Sequence, residues 1–122
     1  MARILVLDAT EIIGEALSEE LIEEGFEVLL SSINKLDGDY LLSNKFELLL
    51  IEINPSERAA FVLLEKLKTI VPKPKTIVLV SSVDVRGAVE LAKLGVDELF
   101  SMPFNVSELF SSIKSLLPHG TQ

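Results

Sequence analysis

Cysteine is absent from all 122 residues, which excludes disulfides, thiolate nucleophiles and thiolate metal ligands. That absence suits a reducing compartment, and the cytoplasm is the expected location. Histidine occurs once, as His119 near the C-terminal end. A Ser-His-acid triad and a histidine metal centre are therefore not expected. No apolar run approaches the ~20 residues of a membrane-spanning helix, and no basic and apolar leader opens the chain, so a soluble protein is expected. Basic residues are missing between Arg3 and Lys35, a stretch that holds eight acids: Asp8, Glu11, Glu15, Glu19, Glu20, Glu23, Glu24 and Glu27. The formal net charge is −8, and the rest of the chain has eleven acids and eleven bases, so this segment carries the whole imbalance. Such a surface repels nucleic-acid phosphates and anionic lipid, and draws in a basic partner if anything. Neither nucleic acid nor a membrane is an expected partner.

What is present is an ordinary globular mixture, 48% hydrophobic and 25% charged. The length suits a single domain over 1–122, with 118–122 as a frayed tail. Residues 3–8, RILVLD, form an apolar run that ends in a carboxylate, as a buried parallel strand does. From Glu11 the period changes. Ile13, Leu17 and Leu21 recur every fourth residue, Ile12 and Ala16 widen the stripe, and Gly25 stops it. That helix carries like charges at i,i+4, among them Glu15/Glu19 and Glu19/Glu23, each costing about 0.2–0.5 kcal/mol. A second strand follows over 26–31, then a weak helix over 34–43. FELLLIEI, 46–53, is the third strand, ended by Asn54-Pro55, and a helix over 57–70 turns Phe61, Leu64, Leu67 and Lys68 to one face. TIVLVSS, 76–82, is the fourth strand. Asp84 caps a helix whose packed stripe is Val85, Ala88, Val89, Ala92 and Leu94, ending at Gly95. A short fifth strand covers 97–101. Asn105 caps the last helix, with Val106, Leu109, Phe110, Ile113 and Leu116 inward and Pro118 beyond its end.

This alternation predicts an α/β fold: a doubly wound (βα)5 chain, flavodoxin-like, with a five-stranded parallel sheet between two helical layers. In such folds chemistry gathers at the carboxyl ends of the strands. Asp8 and Ala9, Glu52 to Pro55, Ser81 and Ser82, and Met102 with Pro103 fall there. No glycine-rich phosphate loop follows the first strand, where ATEIIG stands, and no base is placed to activate Ser81, Ser82 or Ser101. An enzyme is not expected.

Four of the strand segments, ILVLDA, FELLLIEINP, TIVLVSS and LGVDELFSMPF, resemble in order and spacing those of the receiver domains of response regulators, the CheY-like family. The resemblance covers residues 3–117 and implies a signalling module of the two-component phosphorelay. In that family two acids after the first strand hold Mg²⁺. Asp8 matches one, and Ala9 occupies the other place. Glu52 stands where an aspartate accepts the phosphoryl group. Asn54 matches a residue whose carbonyl is a metal ligand, and Ser81 matches the hydroxyl that senses the phosphate. Met102 replaces the lysine that pairs with the phosphoryl group, next to a proline that is often cis. Leu99 sits where a Tyr or Phe switches rotamer.

These departures imply a pseudo-receiver whose phosphoacceptor position is the degenerate Glu52. Asp8 and Glu52 remain as weak Mg²⁺ candidates, and no cofactor is expected. Receivers commonly bind a protein partner or dimerise through the fourth helix, fifth strand and fifth helix. By position that face includes Arg86, Glu90, Lys93, Phe100 and Glu108. Two rival readings are a receiver still phosphorylated at a low level and a flavodoxin-like domain that binds a small ligand, for which Phe104 and Tyr40 are the available aromatics.

Overall fold

A computed structural model describes residues 2–8, 11–32, 45–53, 58–80 and 85–117. Among the described residues there are five strands: β1 (Arg3–Asp8), β2 (Glu27–Ser32), β3 (Leu48–Ile53), β4 (Lys75–Val80) and β5 (Glu98–Ser101). The described helices are α1 (Glu11–Glu23), α2 (Arg58–Leu67), α3 (Val85–Lys93) and α4 (Val106–Leu116). Every described strand pair is parallel, and the sheet order is β2-β1-β3-β4-β5. The doubly wound three-layer α/β fold expected from the sequence is the one observed. The weak helix over 34–43, the Asp84 cap and the tail over 118–122 lie outside the described residues.

Alternation along the strands divides the core into two layers. Leu5, Leu7, Leu49, Ile51, Ile53, Val78 and Val80 face α2 and α3, which add Ala60, Phe61, Leu63, Leu64, Leu67, Leu91 and Leu94. Ile4, Val6, Leu48, Leu50, Ile77 and Leu79 face α1 and α4, which add Leu17, Leu21, Leu109 and Ile113. All six residues of β3 are buried, as befits a central strand covered on both faces. The strand starts are held by polar contacts. Thr76 N donates to Asp97 Oδ2 (2.8 Å) and Asp97 N to Thr76 O (2.9 Å), which ties β4 to β5.

Several sequence expectations need correction. β3 begins at Leu48, because Phe46 and Glu47 serve the turn: Glu47 Oε2 accepts from Arg3 N (2.8 Å), and the Arg3 guanidinium lies 4.9 Å from the Phe46 ring centre. α2 ends at Leu67, leaving Lys68 exposed, and its buried face includes Leu63. On α1, Ala16 is exposed, and Gly14 and Ser18 are buried beside Leu17. On α3 the stripe is rotated. Leu94, just past the helix, is buried as expected, but Leu91 is buried too, Ala88 is half-buried, and Val89 and Ala92 are exposed. The two leucines offer more apolar area than Val89 and Ala92, and Val89 lies about 200° around the helix from Leu91. On α4, Val106 is exposed and Leu117 closes the core instead.

Two helix ends are built by glycine. α1 runs into Gly25 at φ 98° and α3 into Gly95 at φ 82°, backbone that a side chain rarely adopts. At the other end of α4, Asn105 Oδ1 accepts from Glu108 N (3.0 Å), as the sequence led us to expect. Asn105→Ala should therefore cost about 1 kcal/mol, within the 0.5–2 kcal/mol range of lost N-caps. Urea midpoints check this, and an unchanged midpoint would mean that the cap adds nothing.

Candidate functional site

Strand register builds the candidate site at the carboxyl edge of the sheet. Leu7 of β1 is the Cα partner of Ile51 of β3, so Asp8 and Glu52 are the next residues along two neighbouring strands. Such strands lie about 4.8 Å apart. Glu52 in turn partners Leu79 of β4. It is only 8% exposed, an uncommon position for a carboxylate so near apolar neighbours. Val6, Leu7, Gly14, Leu17, Leu50 and Leu79 share its surroundings, and the space among them does not admit a water molecule. Glu52 thus lies on the face of the sheet that α1 covers.

The edge continues through β4 and β5. Val80 partners Ser101, and Met102 N then donates to Val80 O at 2.8 Å. This bond fixes the chain just beyond β5, and the Met102–Pro103 peptide that follows is cis. The Met102 side chain is half-buried and packs against the apolar cluster between the sheet and α1 and α4. The structure therefore brings Asp8, Glu52 and Met102 to one edge. Ala9, Asn54 and Ser81 lie outside the described residues. Among the described residues, no group of three His, Cys, Asp or Glu side chains is placed to hold a metal ion, and no helix is long and apolar enough to cross a membrane.

The second candidate region is the face of α3, β5 and α4. Arg86, Lys93 and Glu108 are exposed there. Glu90 is half-buried and turned toward α2, with Oε1 3.4 Å from Arg58 Nη1. Arg58 also lies over the Phe61 ring, 4.6 Å from its centre. Phe100 packs against the apolar cluster and is half-buried. Leu99 turns to the opposite layer, where it lines an open depression of about 280 Å³ with Ala88, Leu91, Ala92, Val96, Asp97 and Glu98. The sequence reading missed Val89, Ala92 and Val106 as exposed apolar residues of this region, because it assigned all three to the core. The signal was available in α3, where Leu91 outweighs Val89 in apolar area.

No family model matches the sequence. The "Transcriptional regulatory protein DltR" of Streptococcus agalactiae is 27% identical over 116 residues, which are 92% of this chain and 50% of that protein. The chain thus spans about half the length of this curated relative. A two-component response regulator from Clostridium difficile has a crystal structure that superposes with a TM-score of 0.86 at 20% identity, over 100% of both chains. A CheY-like response regulator receiver domain protein from Methanospirillum hungatei JF-1 gives a TM-score of 0.79 at 25% identity, over 94% of this chain and 92% of that one. The strand order, the acid at the end of β3 and the agreement over nearly the whole length lead to one family. The chain has the fold of the CheY-like receiver domains of response regulators, which it resembles over nearly its whole length.

Proposed function

We propose that this receiver does not transfer phosphoryl groups and acts in signalling through protein contacts alone, in the cytoplasm. One observation carries the reading. Met102, at the place of the family's phosphate-pairing lysine, is apolar and packed with core residues on the face that also carries Glu52. A lysine there would stabilise charge that develops on a phosphoryl group, and losing one such partner commonly costs about 10²–10³ in rate. Ala9 adds a second loss, since its methyl group offers no oxygen. Mg²⁺ requires oxygen ligands in near-octahedral geometry, usually carboxylates supplemented by phosphate oxygens. The donor set of Asp8, Ala9 and Glu52 does not fit that requirement well. Glu52 also carries its carboxylate one methylene further from the backbone than an aspartate would, a displacement of roughly 1 Å that in-line attack tolerates poorly.

The test is direct. Incubation with beryllofluoride or acetyl phosphate and about 10 mM Mg²⁺, of the order of ten times a millimolar dissociation constant, should leave the intact mass and the ¹⁹F spectrum without an adduct. A stoichiometric adduct at Glu52 would overturn the proposal. The melting midpoint should move by less than about 1 °C in the same Mg²⁺, because this donor set binds far more weakly than a millimolar site, which would add about 1.4 kcal/mol and several degrees. A rise of several degrees would mean that the edge still holds a metal.

The face of α3, β5 and α4 is the proposed contact surface. Exposed Val89, Ala92 and Val106 supply apolar area, and Arg86, Lys93 and Glu108 supply charge around it. The depression beside Leu99 gives the face relief that a side chain of a protein partner can fill.

A further inference from the structure

Charge of opposite sign meets at the other end of the molecule, away from Glu52. All described strands are parallel, so their starting residues share one end of the sheet. α1 finishes at that end before β2, and the segment 68–74 reaches it before β4. The α1 side presents exposed Glu19, Glu20, Glu23, Glu24 and Glu27 around Ile22, which is 56% exposed. The β4 side presents exposed Lys66, Lys68, Lys73 and Lys75 around Val71, which is 90% exposed. No acid occurs between Glu65 and Asp84.

Contacts within the chain use only part of this charge. Glu24 pairs with Lys114 (3.7 Å), Glu27 with Arg3 (3.5 Å) and Lys68 with Glu65 (3.8 Å), and Lys73 Nζ donates to Gly95 O (2.8 Å). Among the described residues, no ion pair is formed by Glu19, Glu20, Glu23, Lys66 or Lys75. Asp97, also at this end, accepts from Thr76 N. Among the described residues Glu98 is exposed without an ion pair, and with Glu65 and Asp97 it tempers the basic side.

We propose that this end of the domain is a contact surface for a second copy of the same chain. β2 and β4 are separated by β1 and β3, so the two patches lie about 14 Å apart across the sheet. They also lie on opposite faces, since α1 covers one layer and α2, which leads into the basic segment, covers the other. A two-fold axis through the end, close to Arg3 and Glu47, exchanges them. The acidic patch of each copy then meets the basic patch of its partner, and the arrangement closes as a dimer. Ile22 of one copy and Val71 of the other provide apolar contact inside each ring of charge. No other partner is needed to explain the pattern, because the chain itself carries the complement of its acidic surface.

Net charge sets the expected salt dependence. Two copies of charge −8 repel at long range, and this repulsion is screened over about 10 Å at 0.1 M salt. The contacting pairs are screened appreciably only when the screening length falls to about 3 Å, near 1 M. Association should therefore be strongest near 0.1 M and weaker at both extremes.

Sedimentation equilibrium of four samples tests the proposal, with circular dichroism confirming that each variant is folded. The unmodified chain should form dimers and no larger species. Glu20→Lys with Glu23→Lys should weaken dimerisation at least tenfold, and so should Lys66→Glu with Lys75→Glu, since each leaves two like patches facing. An equimolar mixture of these two double variants should dimerise again, because opposite charges now meet at both contacts. Should a charge reversal fail to fold, the Gln substitutions at the same positions replace it and should also weaken association. The proposal is overturned if the chain stays monomeric at every salt concentration up to about 1 mM protein, or if the variants dimerise like the parent. A mixture that stays monomeric, or a mass that keeps rising beyond two copies, overturns it equally. The outcome does not depend on whether Glu52 accepts phosphate.

Discussion

Leu91→Ala is expected to lower unfolding stability by about 2–5 kcal/mol, whereas Val89→Ala should change it by about 0.5 kcal/mol or less. Both residues are branched aliphatics on the same helix, two positions apart. Leu91 is 2% exposed in the layer between the sheet and α2 and α3, so truncation removes buried methyls and leaves a cavity. Val89 is 47% exposed, and alanine has the better helix propensity, which offsets what little packing is lost. A domain of this class has about 5–15 kcal/mol of stability in all, so the first change is a large fraction of it. Urea unfolding of both variants, read as midpoint and slope, decides the matter. Equal losses would mean that α3 is rotated back toward the stripe read from the sequence. A loss at Val89 alone would also remove it from the proposed contact face.

The second large effect is a gain. Restoring Ala9→Asp, Glu52→Asp and Met102→Lys together should accelerate labelling by acetyl phosphate by about 10⁴-fold or more, from two electrostatic partners worth about 10²–10³ each. Single changes should gain little, because a carboxylate without its cation, or a cation without its metal, completes no site. Ala9→Asp alone should destabilise by about 1–3 kcal/mol, since it adds a carboxylate next to Asp8 in sequence, at the edge where Glu52 also lies. Met102→Lys alone sets two effects against each other. The new ammonium gains acidic neighbours at this edge, and the apolar cluster loses a half-buried thioether. The lysine stem can keep part of that packing while its head turns outward, so the net change should be about 1 kcal/mol or less in either direction. Labelling rates with Mg²⁺, together with denaturant midpoints, separate chemistry from stability. A triple variant that binds Mg²⁺ yet takes up no phosphate would show that Glu52 and Met102 are not the residues that limit transfer.

The amino-acid order by itself determined the number and succession of strands, and the reason is local. The apolar runs 3–8 and 46–53 allow no amphipathic helix, and glycine at 25 and 95 ends helices whatever they pack against. Residue type at the strand ends also pointed to the family, because Asp8, Glu52 and Met102 fall at the carboxyl edge of any parallel sheet with these strands. The facing of helices was less legible. α3 holds two plausible stripes, and only contact with the sheet chose Leu91, beside the expected Leu94, over Val89 and Ala92. The opening of β3 was likewise settled at a distance, by Arg3 drawing Phe46 and Glu47 into its turn from 44 residues away in the chain. Charge shows the same division. The excess of acid between Asp8 and Glu27 is plain in the sequence, but the lysines of 66–75 share its end of the sheet only because parallel strands start together. A pattern along the chain reports what each segment can bury. Which of its surfaces meet others is decided by the sheet order, which no segment carries alone.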